Sequence, residues 1–193
     1  MMIVDDFKDR EGNWVRSFKW GKSTVRTLSG CKYSNMRCRC IVGGLHQSNK
    51  PSYIGCKSDF ASFQDFTNWH VDQIGYNLGF ELDKDLLTKG NKIYSKDTCI
   101  LLPGCLNVFF ASRQSKSSPL PAGVRTHGTK YRSAISRHGK PSHIGVFNTP
   151  EEAFNVYKIA KESQARVLAE KWKSQIDPRA YEALMSYEVL ITD

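Results

Sequence analysis

From residue 130 to 136 the chain alternates strictly: Tyr131, Ser133 and Ile135 fall on one side of an extended backbone, and Lys130, Arg132, Ala134 and Ser136 on the other. Short segments of the same kind, AGVRT and SHIGVF, flank it, with the turn-prone HGT and RHGKP between them. This is the punctuation of a three-stranded antiparallel sheet. The period then changes. Thr149 is placed to cap a helix, Pro150 sits at its first position and Glu152 three residues after the cap, which together make a capping box. Ala153, Val156, Ala160 and Val167 follow at helical spacing, and the pattern runs to about Trp172. This stripe is expected to cover the Tyr131/Ile135 face of the sheet and leave the basic face open. A second short helix is expected near residues 178–187.

The preceding half reads differently. In SDFASFQDFTNWHVDQIG, residues 58–75, Phe60, Phe63, Phe66 and Trp69 or His70 recur at threes and fours, which predicts a helix whose aromatic face is core. NMRCRCIVGGLHQSNKPSYIGC, residues 35–56, shows no alternation and is rich in Gly, Ser and Asn, so irregular loops with short strands are expected. Downstream, ELDKDLL reads as a strand, TKGNKIYSKD as a turn, CILLP as a second strand and GCLNVFF as the start of a helix. The fold class is therefore α+β. Residues 111–121, ASRQSKSSPLP, are rich in Ser and Pro and form the expected linker between a module at 1–110 and another at 122–193.

Charge narrows the partners. The 193 residues carry 28 Lys and Arg against 19 Asp and Glu, a net charge of +9. Residues 111–150 hold seven basic side chains and no acidic one. Such a one-signed surface attracts polyanions, and nucleic acid is the first to test. No run of apolar residues is long enough to span a membrane, and the N-terminal segment lacks the pattern of a signal peptide, so a cytoplasmic protein with reduced cysteines is expected. Cys31, Cys38, Cys40 and Cys56, with His46 between them, could supply four zinc ligands, although no C-x2-C pair is present. Small buried thiols are the simpler reading.

Residues 123–160, GVRTHGTKYRSAISRHGKPSHIGVFNTPEEAFNVYKIA, resemble the ethylene-response-factor (APETALA-type) DNA-binding domain. They share its Gly-Val-Arg opening, its Gly-x-Phe-x-Thr-x-Glu-Glu-Ala junction and its Tyr-x-x-Ala helix. The resemblance implies a sheet packed on a helix that reads the major groove of duplex DNA, with contacts from Arg125, His127, Ala134, Ser136 and His143. Where the plant domains usually carry Glu, Arg and Trp, this chain has Ala134, Ser136 and His143, so no target sequence carries over. Together with the basic run, the candidate DNA-binding set is Arg125, His127, Lys130, Arg132, Ser136, Arg137, Lys140 and His143.

Residues 82–107 resemble the HNH, or His-metal, finger of phage-type homing endonucleases. Asp83, the Gly90-Asn91-Lys92 turn and Asn107 match its pattern, whereas Lys84 stands where the general-base His belongs and Thr98 or Cys99 where a central Asn is expected. The resemblance implies a divalent ion, Mg2+ or Mn2+, held by Asp83, Asp85 and Asn107, with Asp83, Lys84 and Asn107 as the catalytic set. A histidine accepts a proton at neutral pH, while a lysine stays charged and serves as an acid or a phosphate contact. His46 and His70 are candidates for a displaced base. The wider arrangement resembles bacteriophage proteins described as HNH endonucleases, in which the DKD form recurs, and this implies a phage or mobile-element origin. Two readings stay open: a site-specific, metal-dependent DNA endonuclease, or a catalytically inactive HNH-derived DNA-binding or regulatory protein. RNA binding by the open sheet is a third.

Overall fold

The computed structural model describes residues 2–110, 119–137 and 140–191, with the side chain of Arg137 outside the description. Among these residues the chain is mixed α+β, with six α-helices and several small sheets. Among the described residues no helix is long and apolar enough to cross a membrane. The chain divides into two compact units, Met1–Val108 with Gln175–Ala180, and Phe109–Ser174 with Tyr181–Asp193. Residues 175–180, expected within the second module, thus group with the first. Most of the expected linker, residues 111–118, lies outside the described residues, as do residues 138 and 139 of the expected RHGKP turn.

In the first unit, β1 (Ile3–Val4) lies parallel to β3 (Ser23–Thr27), which pairs antiparallel with β2 (Ser17–Trp20). The Thr27 side chain then accepts from the Gly30 backbone and caps α1 (Leu28–Arg39). A short α2 (Leu45–Asn49) and a 3-10 turn (Pro51–Tyr53) follow. Residues 35–56, expected to be loops with short strands, are thus partly helical and contain no strand. The periodicity of α1 is hidden because its buried face is built from Ser29, Gly30 and Ser34 as well as Cys31, Tyr33 and Met36.

Next come β4 (Lys57–Ser58) and α3 (Phe63–Val71). The aromatic helix is shorter than the expected 58–75: Ser62 caps it by accepting from the Asp65 backbone, and Gly75 turns the chain beyond it with φ +93°. Its aromatic face is core. Phe66 is fully enclosed and meets Phe60, Tyr33, Trp69 and the His70 ring at centroid distances of 5.0–5.9 Å. β5 (Glu81–Asp83) pairs antiparallel with β7 (Ile100–Leu102), Asp83 opposite Ile100, while the intervening β6 (Ile93–Tyr94) runs parallel to β4. The strand expected over ELDKDLL stops at Asp83 because that carboxylate accepts from the backbones of Asp85 and Leu86 and folds the chain into a turn. α4 (Gly104–Phe110) follows β7 directly.

In the second unit, β8 (Val124–His127), β9 (Lys130–Arg137) and β10 (Lys140–Phe147) form an antiparallel sheet in the order β10-β9-β8, with a bulge between His143 and Gly145. α5 (Pro150–Trp172) opens with a complete capping box between Thr149 and Glu152, and packs against all three strands. Val124, Ala153, Phe154 and Val189 form the core, with Tyr131, Phe147 and Tyr157 packed around them. The apolar stripe departs from expectation in its second half: Val167 is 65% exposed, and Ala165 and Ala169 are buried instead. The last helix is α6 (Pro178–Met185).

Candidate functional site

The covered and open faces of the β8–β10 sheet follow from alternation. Ser133 and Ile135 are buried and Tyr131 half-buried on the covered side. On the open side Arg125, His127, Lys130, Arg132, Ser136 and His143 are all exposed, whereas Lys140, exposed as well, pairs with Arg137 and so falls on the Tyr131/Ile135 side at the end of the sheet. The register sets Arg125 directly opposite Arg132, His127 opposite Lys130, and His143 opposite Ala134. Among the described residues none of Arg125, Lys130, Arg132 or Lys140 makes an ion pair. Paired strands lie 4.7–4.9 Å apart, so three span roughly 10 Å, within the roughly 12 Å width of a B-DNA major groove. The middle of this face carries small side chains, Ala134 and Ser136, which let a ligand approach the backbone.

The second candidate lies on the turn after β5. Lys84, expected to reach phosphate, is only 4% exposed. Its ammonium donates to Asp85 Oδ1 at 2.5 Å and to the Asn91 carbonyl at 2.6 Å, and lies 5.7 Å from the centre of the Tyr94 ring. Asn91 answers by donating its side-chain amide to the Lys84 carbonyl at 2.9 Å and to the Ile93 carbonyl at 2.7 Å. Lys84 and Asn91 therefore clasp residues 84–91 into a closed loop. The ammonium is spent on this clasp, so a phosphate contact would require breaking it.

Asp83 is partly buried, and burial is the main cause that raises its carboxyl above the ordinary range. Its Oδ1 accepts from two backbone amides, while Oδ2 takes no hydrogen bond among the described residues. Asn107, on α4, has its Oδ1 buried without a hydrogen-bond partner among the described residues. Thr98 and Cys99, at the position of the expected central Asn, serve the fold: Thr98 Oγ1 donates to the Ile93 carbonyl at 2.7 Å, and burial pushes the Cys99 thiol up to about 12.

Neither candidate for a displaced base joins these groups. His46 is exposed, and His70 is 2% exposed, with Nδ1 2.7 Å from Ser29 Oγ. Ser29 Oγ spends its proton on Asp6 Oδ2 at 2.6 Å, which puts the His70 proton on Nδ1. Tyr76 donates to the same carboxylate oxygen at 2.7 Å. Burial lowers the His70 pKa to about 4, against the opposing pull of Asp6. This network spans residues 6 to 76 and carries no local spacing by which a sequence would announce it.

The residues expected for zinc do not fit it. Among the described residues no three His, Cys, Asp or Glu side chains gather around one point. Cys31 and Cys56 are buried, Cys38 is exposed, and burial raises the Cys31 and Cys40 thiols, which disfavours the thiolate that zinc requires. A magnesium-type ion asks less of a protein, one or two oxygen ligands with substrate phosphate and water supplying the rest. The unengaged Asp83 Oδ2 and the orphaned Asn107 Oδ1 are donors of that kind. No family model, curated protein or solved structure matches the chain.

Proposed function

We propose that the chain is a duplex-DNA-binding protein of phage or mobile-element type, with an ethylene-response-factor-like sheet in the second unit that docks in the major groove. The observation that carries this reading is the direct opposition of Arg125 and Arg132 on an open, acid-free face. Like charges set opposite each other cost stability unless a polyanion sits over them. Arg125, Lys130 and Arg132 supply phosphate and guanine-edge contacts, and His127, Ser136 and His143 supply further polar ones.

The first unit contributes an HNH-like ββα finger made of β5, β7 and α4. Two observations pull it in different directions. The burial of Lys84 in a structural clasp, and the absence of any imidazole bonded to Asp83 or Asn107 among the described residues, favour a finger that grips DNA without cutting it. The orphaned Asn107 oxygen favours one that takes Mg2+ or Mn2+ with Asp83, an ion that would supply Lewis-acid stabilisation of a phosphodiester. We take the non-cleaving, DNA-binding or regulatory reading as the stronger, because the general-base position is filled by a clasped Lys84 and, among the described residues, His70 is held by Ser29 instead.

The test has two parts. The full chain should bind a random duplex pool in preference to double-stranded RNA, with a log–log salt slope of roughly −3 or steeper, the minimum set by Arg125, Lys130 and Arg132. Equal affinity for A-form RNA, or a flat salt dependence, would remove the major-groove reading. With the recovered duplex and Mg2+ or Mn2+, no nicking is expected; metal-dependent nicking abolished by Asp83→Ala and Asn107→Ala would reinstate the endonuclease.

A further inference from the structure

Residues 12–58 hold nine Lys and Arg and not one Asp or Glu. Within this stretch the chain leaves α1 and displays apolar side chains to solvent: Ile41, Val42, Leu45 and Ile54 are 55%, 90%, 81% and 58% exposed. The display is built. Gln47 is 6% exposed, accepts from the Gly43 backbone at 3.3 Å and donates to the Arg39 carbonyl at 3.2 Å. Gly43 takes the left-handed φ of +69° that the turn needs. A buried glutamine thus holds an apolar tip in place while Arg37, Lys50 and Lys57 stand exposed around it, none of them paired with a carboxylate among the described residues.

The loop is also fastened to the candidate finger. β4 continues it into a parallel pairing with β6, Lys92 donates to the Ser52 carbonyl at 2.5 Å, and the Arg39 guanidinium lies 5.1 Å from the Tyr53 ring centre and donates to the Tyr94 hydroxyl. All of these residues belong to the first unit.

We infer that residues 41–54 form a DNA wedge: Val42 and Leu45 enter the minor groove at a base step, and Arg37, Lys50 and Lys57 hold the flanking phosphates. Apolar side chains pushed between base pairs unstack and kink the duplex, and the basic rim anchors the bent backbone. The inference rests on the reading of the chain as a duplex-DNA-binding protein. A rim of three exposed cations, none paired with a carboxylate among the described residues, favours a polyanion over a neutral protein surface. The five residues of α2 are too few for the long amphipathic helix that an anionic bilayer selects.

The test uses the full chain and a duplex recovered from a random pool, with 2-aminopurine placed at successive steps and a fluorophore pair at the two ends. The wild type should raise 2-aminopurine emission at one step and shorten the end-to-end distance. Val42→Ser with Leu45→Ser, both at exposed positions, should leave the thermal midpoint unchanged, abolish both signals and weaken binding about tenfold. Lys50→Ala should keep the emission pattern and reduce the salt slope by about one. A bound wild type with no unstacked step, or a double variant that keeps the signals, would overturn the wedge and leave DNA binding standing. Failure of the wild type to bind any duplex, with or without capture by phosphatidylserine vesicles, would overturn both.

Discussion

Arg125 faces Arg132 across the β8–β9 ladder, one exposed guanidinium directly opposite another with no carboxylate between them. Cross-strand like charges destabilise a sheet by roughly 0.2–1 kcal/mol, and removing one cation from a phosphate should weaken DNA binding and reduce the salt slope by about one. Arg132→Gln should therefore shift two properties in opposite directions: thermal stability should rise slightly while affinity for duplex DNA falls about tenfold. Paired thermal melts and salt titrations check it. A variant that loses stability and keeps its DNA affinity would assign the pair to the fold.

A pH effect follows from His70. Its folded pKa is about 4, below the 6.5 of an unperturbed imidazole, because burial against Phe66 and Tyr76 outweighs the carboxylate of Asp6, with Lys32 adding to the depression. The unfolded chain therefore binds the extra proton first. Stability is complete above pH 6.5 and drains away as pH falls toward 4, by about 3 kcal/mol over the window. Asp65 and Asp177, whose carboxyls are lowered by Lys96 and Arg179, lose their contributions only at lower pH. Urea unfolding between pH 4.5 and 7.5 should show a steep slope in the wild type and a shallower one in His70→Gln.

The clasp between Lys84 and Asn91 makes a separate prediction. Lys84→Met keeps the aliphatic stem beside Tyr94 but leaves the Asn91 carbonyl without its donor, while Asp85, 52% exposed at the side chain, turns to water. The loss should be about 1–3 kcal/mol, the range for an orphaned buried acceptor. The slope of DNA affinity against salt should not change. A slope reduced by about one would instead restore Lys84 as a phosphate ligand.

What the sequence disclosed and what it hid have a common cause. Thr149, Pro150 and Glu152 act within one turn, and the alternation of Tyr131 to Ser136 acts within one strand, so both are legible residue by residue. The helix at Leu28–Arg39 is not, because it buries Ser29, Gly30 and Ser34, which no apolar period records. Ala165 and Ala169 replace Val167 on the covered side of α5, where hydropathy alone would choose the valine. Lys84 stands out in the sequence as unusual, but its role depends on a carbonyl seven residues away that only the folded loop delivers.

Gly123 offers a test of how the second unit is held together. Its φ of +76° lies in the left-handed region, and a Cβ placed there would overlap the ring of Tyr157 on α5. Left-handed backbone costs a non-glycine residue roughly 1–2 kcal/mol, and overpacking a well-filled site adds about 1–3 kcal/mol. Gly123→Ala should therefore lower stability by about 2–4 kcal/mol, measured by urea unfolding with the transition of the second unit followed separately. The two contributions separate in a double-mutant cycle with Tyr157→Ala. Removing the ring relieves the overlap and leaves the backbone strain, so the double variant should be less destabilised than the two single losses added together. Strict additivity would mean that the ring is free to move aside and that backbone strain alone makes the position a glycine.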